Sequence, residues 1–175
     1  MRALGNVLDV CMGINLVADL AAGANTGKRI HMRNYDTLGV LLLKNVASAG
    51  TDDVVITLQE HNANTGGTSQ NLAAISEYYR KAAAPIAGTE QWTEVNNLSS
   101  GNPQATLTVA GASQAANQVM VYFDVESGAL SAGFEWLSVN IADPGSGGTI
   151  LGGVIYIPSG LKIMRKPDLL AQPNA

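Results

Sequence analysis

The segment Gly23 to Lys28 (GANTGK) comes closest in this chain to a motif that does chemistry, a glycine loop with a lysine poised to cradle a phosphate. It fails on spacing. A phosphate loop needs a longer gap between its glycines and a Ser or Thr after the lysine to bind magnesium, whereas here three residues separate Gly23 from Gly27 and Arg29 follows Lys28. His31 and His61 are the only histidines, and a metal or acid-base site would have to combine them with carboxylates such as Asp36 or Glu60. A specific site needs more ligands than that set offers. The expectation is that His31 alternates outward on its strand and that His61 caps the end of another. The chain has no Gly-x-Ser-x-Gly elbow, no His-Glu-x-x-His pair and no second cysteine to partner Cys11. Asp52, Asp53, Asp124 and Glu126 fall at strand ends, where solvated turn carboxylates are the default, and the spacing of a calcium-binding EF-hand loop is missing. Cys11 is expected to be a small buried hydrophobe. On this inventory the protein is no enzyme, with no catalytic, cofactor-binding or metal-binding residue to assign.

Side chains suited to holding another surface are easier to find. Trp92, Phe134 and Trp136 are interface candidates, because aromatic side chains supply the strongest anchors of protein contacts, with core packing as the other use for them. Phe134 and Trp136 lie two apart, on one face of a single expected strand. Leu4, Val7 and Leu8 form a second candidate set, on an N-terminal segment with no period-two pattern.

The elements that would position these residues are strands. Asp53 to Glu60 (DVVITLQE) and Gln118 to Glu126 (QVMVYFDVE) alternate apolar and polar or small side chains, and they are rich in β-branched and aromatic residues. In the first, Val54, Ile56 and Leu58 face the core, and Gln59 faces away. Strand-like stretches also run over Ile14 to Leu20, Lys28 to Tyr35, Leu38 to Val46, Trp92 to Leu98, Ala105 to Ala110, Phe134 to Ala142 and Thr149 to Ile157. Leu38 to Val46 is almost continuously apolar, so it is expected to be covered on both faces or to form a buried edge. Leu72 to Lys81 fits a helix through Leu72, Ile75 and Tyr79 and a strand through Ala73, Ile75, Glu77 and Tyr79; strand is the reading adopted. Turn chemistry stands between the stretches, as in Ser99 to Pro103, Ser127-Gly128 and Asp143 to Gly148. Strands at short intervals without alternating helices give an all-β fold, an antiparallel β-sandwich of jelly-roll type. The expected organisation is an arm over 1–13, a sandwich over 14–160 and a tail over 161–175.

Composition narrows the function classes. Charged residues are 14% of the 175, well below the roughly 25% usual for a soluble domain, so Ser, Thr, Asn, Gln and Gly must cover the surface. Such an exterior suits burial against other subunits. The net charge is −4 and the basic residues are scattered apart from Lys162, Arg165 and Lys166, which argues against nucleic acid as a partner. No apolar run is long enough to span a membrane as a helix, and Asn6 and Asp9 interrupt any signal-like core near the start, so synthesis and retention in the cytoplasm until assembly are expected.

The succession NYDTLGVLLL, DDVVITLQEHNANTGG, EYYRK, FEWLSVNIADPG and LGGVIYI resembles small tailed-bacteriophage virion proteins of the decoration or cement type, over about Ile14 to Ile157. The resemblance implies a jelly-roll sandwich bound to the outside of a shell of major capsid protein, commonly as a homotrimer at or near threefold positions, stabilising the shell against the pressure of packaged DNA. It implies no catalytic residues and no cofactor. The arm and the tail are the segments that would reach across capsomer boundaries. Two rivals stand beside it. A tail or baseplate component would form hexameric rings or a tube. A carbohydrate-binding or adhesin sandwich would need aromatics and polar partners together on one sheet face, against an aromatic content of 5%.

Overall fold

The structure, a computed structural model, describes residues 8–49, 53–109, 116–145 and 148–162. Among these residues the strands are β1 (Cys11–Asp19), β2 (Ile30–His31), β3 (Tyr35–Lys44), β4 (Val54–His61), β5 (Ser69–Asn71), β6 (Glu77–Ala83), β7 (Thr93–Asn96), β8 (Thr106–Val109), β9 (Gln118–Glu126), β10 (Trp136–Ile141) and β11 (Leu151–Leu161). They form two antiparallel sheets. One has six strands in the order β1-β11-β3-β9-β6-β7, and the other runs β2-β10-β4-β5, with β8 also paired to β4. β5 covers the His61 end of the free edge of β4 and β8 covers its Val54 end. From β1 to β4, and again from β8 to β11, the chain changes sheet at every connection, which is the winding of a jelly roll. The β6–β7 hairpin widens the larger sheet beyond β9.

Period-two patterning explains the core. Val54, Ile56 and Leu58 from β4, Leu137, Val139 and Ile141 from β10, Leu38, Val40 and Leu42 from β3 and Val119, Val121, Phe123 and Val125 from β9 are all buried between the sheets. Each contributes about 1.5 to 3 kcal/mol of transfer free energy before chain entropy is subtracted. Tyr156, fully buried on β11, ties the two layers together: the Val139 N–H donates to its Oη at 2.8 Å. That N–H needs the phenol, because β2 pairs only with Trp136 and Leu137 and leaves the rest of this edge of β10 to the segment before it. Asn25 takes up the far end, exchanging backbone hydrogen bonds with Ile141 at 2.8 and 2.9 Å. Between them Gly27 lies so close that a Cβ would strike the Val139 carbonyl oxygen.

Several expectations change at this level. The arm over 1–13 does not hold as a unit: Leu8 bridges Ser159, Asp9 N–H donates to Pro158 O at 2.9 Å, and Cys11 and Met12 pair with Tyr156 and Ile155. The sheet thus begins inside the expected arm, and Leu4 and Val7 lie outside the described residues. At the other end β11 continues to Leu161, and 163–175, with Arg165 and Lys166, also lie outside them. Lys28 to Tyr35 is not one strand, because a 3-10 turn over Met32–Asn34 separates β2 from β3 while keeping Ile30 and Met32 buried. Leu72 to Lys81 is extended only from Glu77, after a lone bridge from Ile75 to Gln104. Its inward tyrosine is Tyr78, at 4% exposure, and not Tyr79, because Tyr79 is paired with the outward-facing Tyr122. Phe134 precedes β10 in a turn, with its N–H donated to Ser131 O at 3.0 Å, so it does not share a strand with Trp136.

Candidate functional site

The residues that could do chemistry are spread apart. Gly23 to Lys28 runs along β1 and β10 with no helix after it, and the Lys28 N–H is spent on Gly13 O at 2.9 Å. Asp36 faces Lys162 at 3.9 Å in an exposed pair worth little. Asp124 accepts a hydrogen bond from Tyr122 Oη. Cys11 packs against the core, and burial, helped by the Asp9 charge, pushes its thiol up to about 12, so it is a protonated thiol and a poor nucleophile. No group of three metal-ligating side chains occurs among the described residues. Asp52 is outside the described residues, and one oxygen of Asp53 is buried without a hydrogen-bond partner.

His31 and His61 sit one on each side of Trp136, on the outer face of the five-stranded sheet. The His31 ring stacks on Trp136 with centroids 4.4 Å apart, and its Nε2 meets Glu135 at 3.1 Å, not Asp36. His61 does not merely cap a strand end: it is 3% exposed, with Nδ1 2.6 Å from Ser69 Oγ and Nε2 2.8 Å from Ser138 Oγ. Burial, with the nearby Arg29 charge, pushes His61 down to about 4, so it is neutral at physiological pH. Beside it Glu60 is buried as well. Burial would raise its carboxyl, but hydrogen bonds from Ser131 and Gln70 outweigh that and hold it below the usual range.

The acid sensitivity of the fold follows with a definite sign. The unfolded histidine takes up a proton near pH 6.5 and the folded one only near 4, so its contribution is complete above pH 6.5 and is lost as the pH falls between those values. We expect about 2 kcal/mol to be lost between pH 7.5 and pH 5, a window that stops short of the titration of Glu60. Urea melts at the two pH values check this, and a His61→Gln variant with the same pH slope as the wild type would reject it.

The six-stranded sheet has a different exterior. Its register sets Met12, Ile155, Leu41, Tyr122 and Tyr79 side by side across five neighbouring strands, a row roughly 20 Å long at the usual strand spacing. The next row holds Gly153, Leu43, Met120 and Lys81, and Lys81 Nζ lies 4.9 Å over the ring of Trp92. Beyond these rows a groove of about 440 Å³ opens between Leu16, Val17, Leu43, Met120 and Leu151, with the buried Lys44 at its rim. Lys44 Nζ donates to Asn45 O and Asn117 O at 3.1 Å each, and burial lowers its ammonium pKa against the opposing pull of Asp53. Val17 is 73% exposed, Leu151 44% and Trp92 43%. The Asn15–Leu16 bulge of β1 lies over Gly153 at one end of this face, and Ile86 lines the groove.

Of the aromatic candidates, Trp92 therefore borders this apolar face, Trp136 stands on the opposite side of the sandwich, and Phe134 is half-buried beside β10. Leu8 is half-buried at its bridge to Ser159. Leu41, Leu43, Met120, Tyr122 and Ile155 were not candidates on sequence grounds, although the apolar run of β3 signals Leu41 and Leu43. No helix among the described residues is long and apolar enough to cross a membrane. No protein-family model matches the chain, and no curated protein sequence matches it.

Proposed function

We propose that this chain is a virion structural protein, a self-associating jelly-roll subunit that decorates and stabilises the outside of a tailed-bacteriophage capsid. The observation that carries this reading is the apolar outer face of the six-stranded sheet. A monomer gains nothing from placing Ile155, Leu41, Tyr122 and Met120 side by side on an outer face, and an apolar row of that length is a template for association. We assign the face to contact between copies of the chain, closed as a trimer, because closed symmetry limits growth while burying the same patch in every subunit. The low charge of the chain and the scatter of its reactive groups support adhesion over turnover. The resemblance to capsid decoration proteins supplies the shell of major capsid protein as the surface on which the trimers sit, where weak contacts per copy are multiplied by symmetry.

Light scattering on the purified chain tests the contact. A trimer is expected at tens of micromolar, and Leu41→Glu should give a monomer whose melting temperature is nearly unchanged, since Leu41 points away from the core. A wild-type monomer would refute the assignment of the face. Mass spectrometry of purified particles tests the location separately, and absence of the chain from virions would refute decoration even if the trimer forms.

A further inference from the structure

The outer face of the five-stranded sheet is built in the opposite manner to the apolar one. Register places Ser138, Gln59 and Asn71 in one row across β10, β4 and β5, and Asn140, Thr57 and Thr106 in the next. Their amides are joined head to tail. The Gly27 N–H donates to Asn140 Oδ1 at 3.0 Å, Asn140 Nδ2 donates to Gln59 Oε1 at 2.6 Å, and Gln59 Nε2 donates to Asn71 Oδ1 at 3.0 Å. The chain of dipoles begins at a backbone donor and ends on Asn71, whose own amide N–H groups have no protein partner among the described residues. Hydrogen bonds in series polarise one another, so the terminal donor is strengthened. The row borders a cleft of about 400 Å³, walled on one side by Asn25 and Thr26 and floored by Thr57. This volume falls within the range of small-molecule sites.

We propose that this cleft is a binding site for neutral oligosaccharide. None of its described lining residues is ionisable, so it offers no counter-charge to a phosphate, a carboxylate or an ammonium group. What it offers is primary amides and the hydroxyls of Thr26 and Thr57, each able to donate and to accept. Sugar hydroxyls have the same dual character, and neighbouring ones present donor and acceptor together at the spacing an amide engages. Each amide of the row spends one N–H and one oxygen contact internally at most, leaving a second N–H on Asn140 and Gln59 as well as both on Asn71. The chain also fixes the rotamers, so little ordering entropy remains to be lost on binding. One row further along the same face stands Trp136, half-buried and clamped by His31, an aromatic edge against which the apolar face of a second sugar ring can rest. The site lies on the side of the sandwich away from the proposed subunit contact, so it stays open in an assembled trimer, and it stands whether or not that contact does.

Titrating the isotope-labelled full chain with maltotetraose, cellotetraose, mannotetraose and chitotetraose tests the site. At least one of the four should shift the side-chain amide signals of Asn71, Gln59 and Asn140 at millimolar concentration, and the corresponding monosaccharide should bind more weakly. Asn71→Ala should lower the affinity about fivefold, the loss of one neutral hydrogen bond, and lower the melting temperature by only a few degrees through the lost Gln59 contact, because Asn71 is exposed at the end of β5. A sulfated oligosaccharide should bind no better than its neutral parent. Absence of any shift with all four sugars, shifts confined to other residues, or an unchanged affinity in Asn71→Ala would each overturn the proposal.

Discussion

Replacing Ile56 with aspartate is expected to unfold the protein at room temperature. Ile56 is fully buried and lies between Ile141 on β10 and Leu107 on β8, in the middle of the layer where the two sheets meet. The change removes an aliphatic side chain worth about 2 kcal/mol or more of burial and puts a carboxylate where no donor waits. A single domain has only about 5 to 15 kcal/mol in hand, and the combined loss exceeds about 4 kcal/mol. Gln59→Asp, three residues along on the opposite face, should cost only about 1 kcal/mol, through its bonds to Asn71 and Asn140. Thermal melts of the two variants check the register of β4. Similar melting temperatures would place its faces the wrong way round.

Removing residues 1–13 is expected to be almost as damaging. The deletion takes the Leu8 bridge, the Asp9 contact with Pro158, the Cys11 and Met12 pairs with β11 and the Gly13 carbonyl that receives the Lys28 N–H. It also bares Tyr156, whose ring lies against Gly13, and Tyr35, whose Oη reaches Asp9 Oδ2 at 3.4 Å. Several backbone hydrogen bonds and the cover of a fully buried tyrosine together come to about 3 to 5 kcal/mol. Circular dichroism against temperature should therefore show a large drop in the midpoint for the deletion of 1–13. The deletion of 1–7 provides the comparison, and a melt of the longer deletion that matches the wild type would show that β1 pairs weakly with β11.

How much of this was legible in the sequence varied from strand to strand. β4 and β9 alternate so regularly that their bounds and buried faces follow from period two. β3 announced apolar residues on both faces, and the central place of the strand accounts for one of them. Leu41 and Leu43 on the other are only half-buried, because a sequence records that a face avoids water without recording which chain covers it. For Tyr78 and Tyr79 the pairing of Tyr79 with Tyr122, and not the local pattern, decides which of two adjacent tyrosines turns inward. The amide row was illegible for a simpler reason: Gly27, Gln59, Asn71 and Asn140 have no common motif and meet only through the register of three strands and the loop beside them.

The position of β11 reaches beyond stability into how the chain must be made. It is the last strand described, yet it lies inside the larger sheet, second from the edge between β1 and β3. While the ribosome is still threading the earlier strands, the seat between β1 and β3 stays vacant and both strands expose unsatisfied backbone edges. The larger sheet can therefore close only once β11 has been made, after pairings that join the first and last of the described strands. Such a topology folds slowly and as a whole, leaving a window in which the nascent strands need shelter from one another.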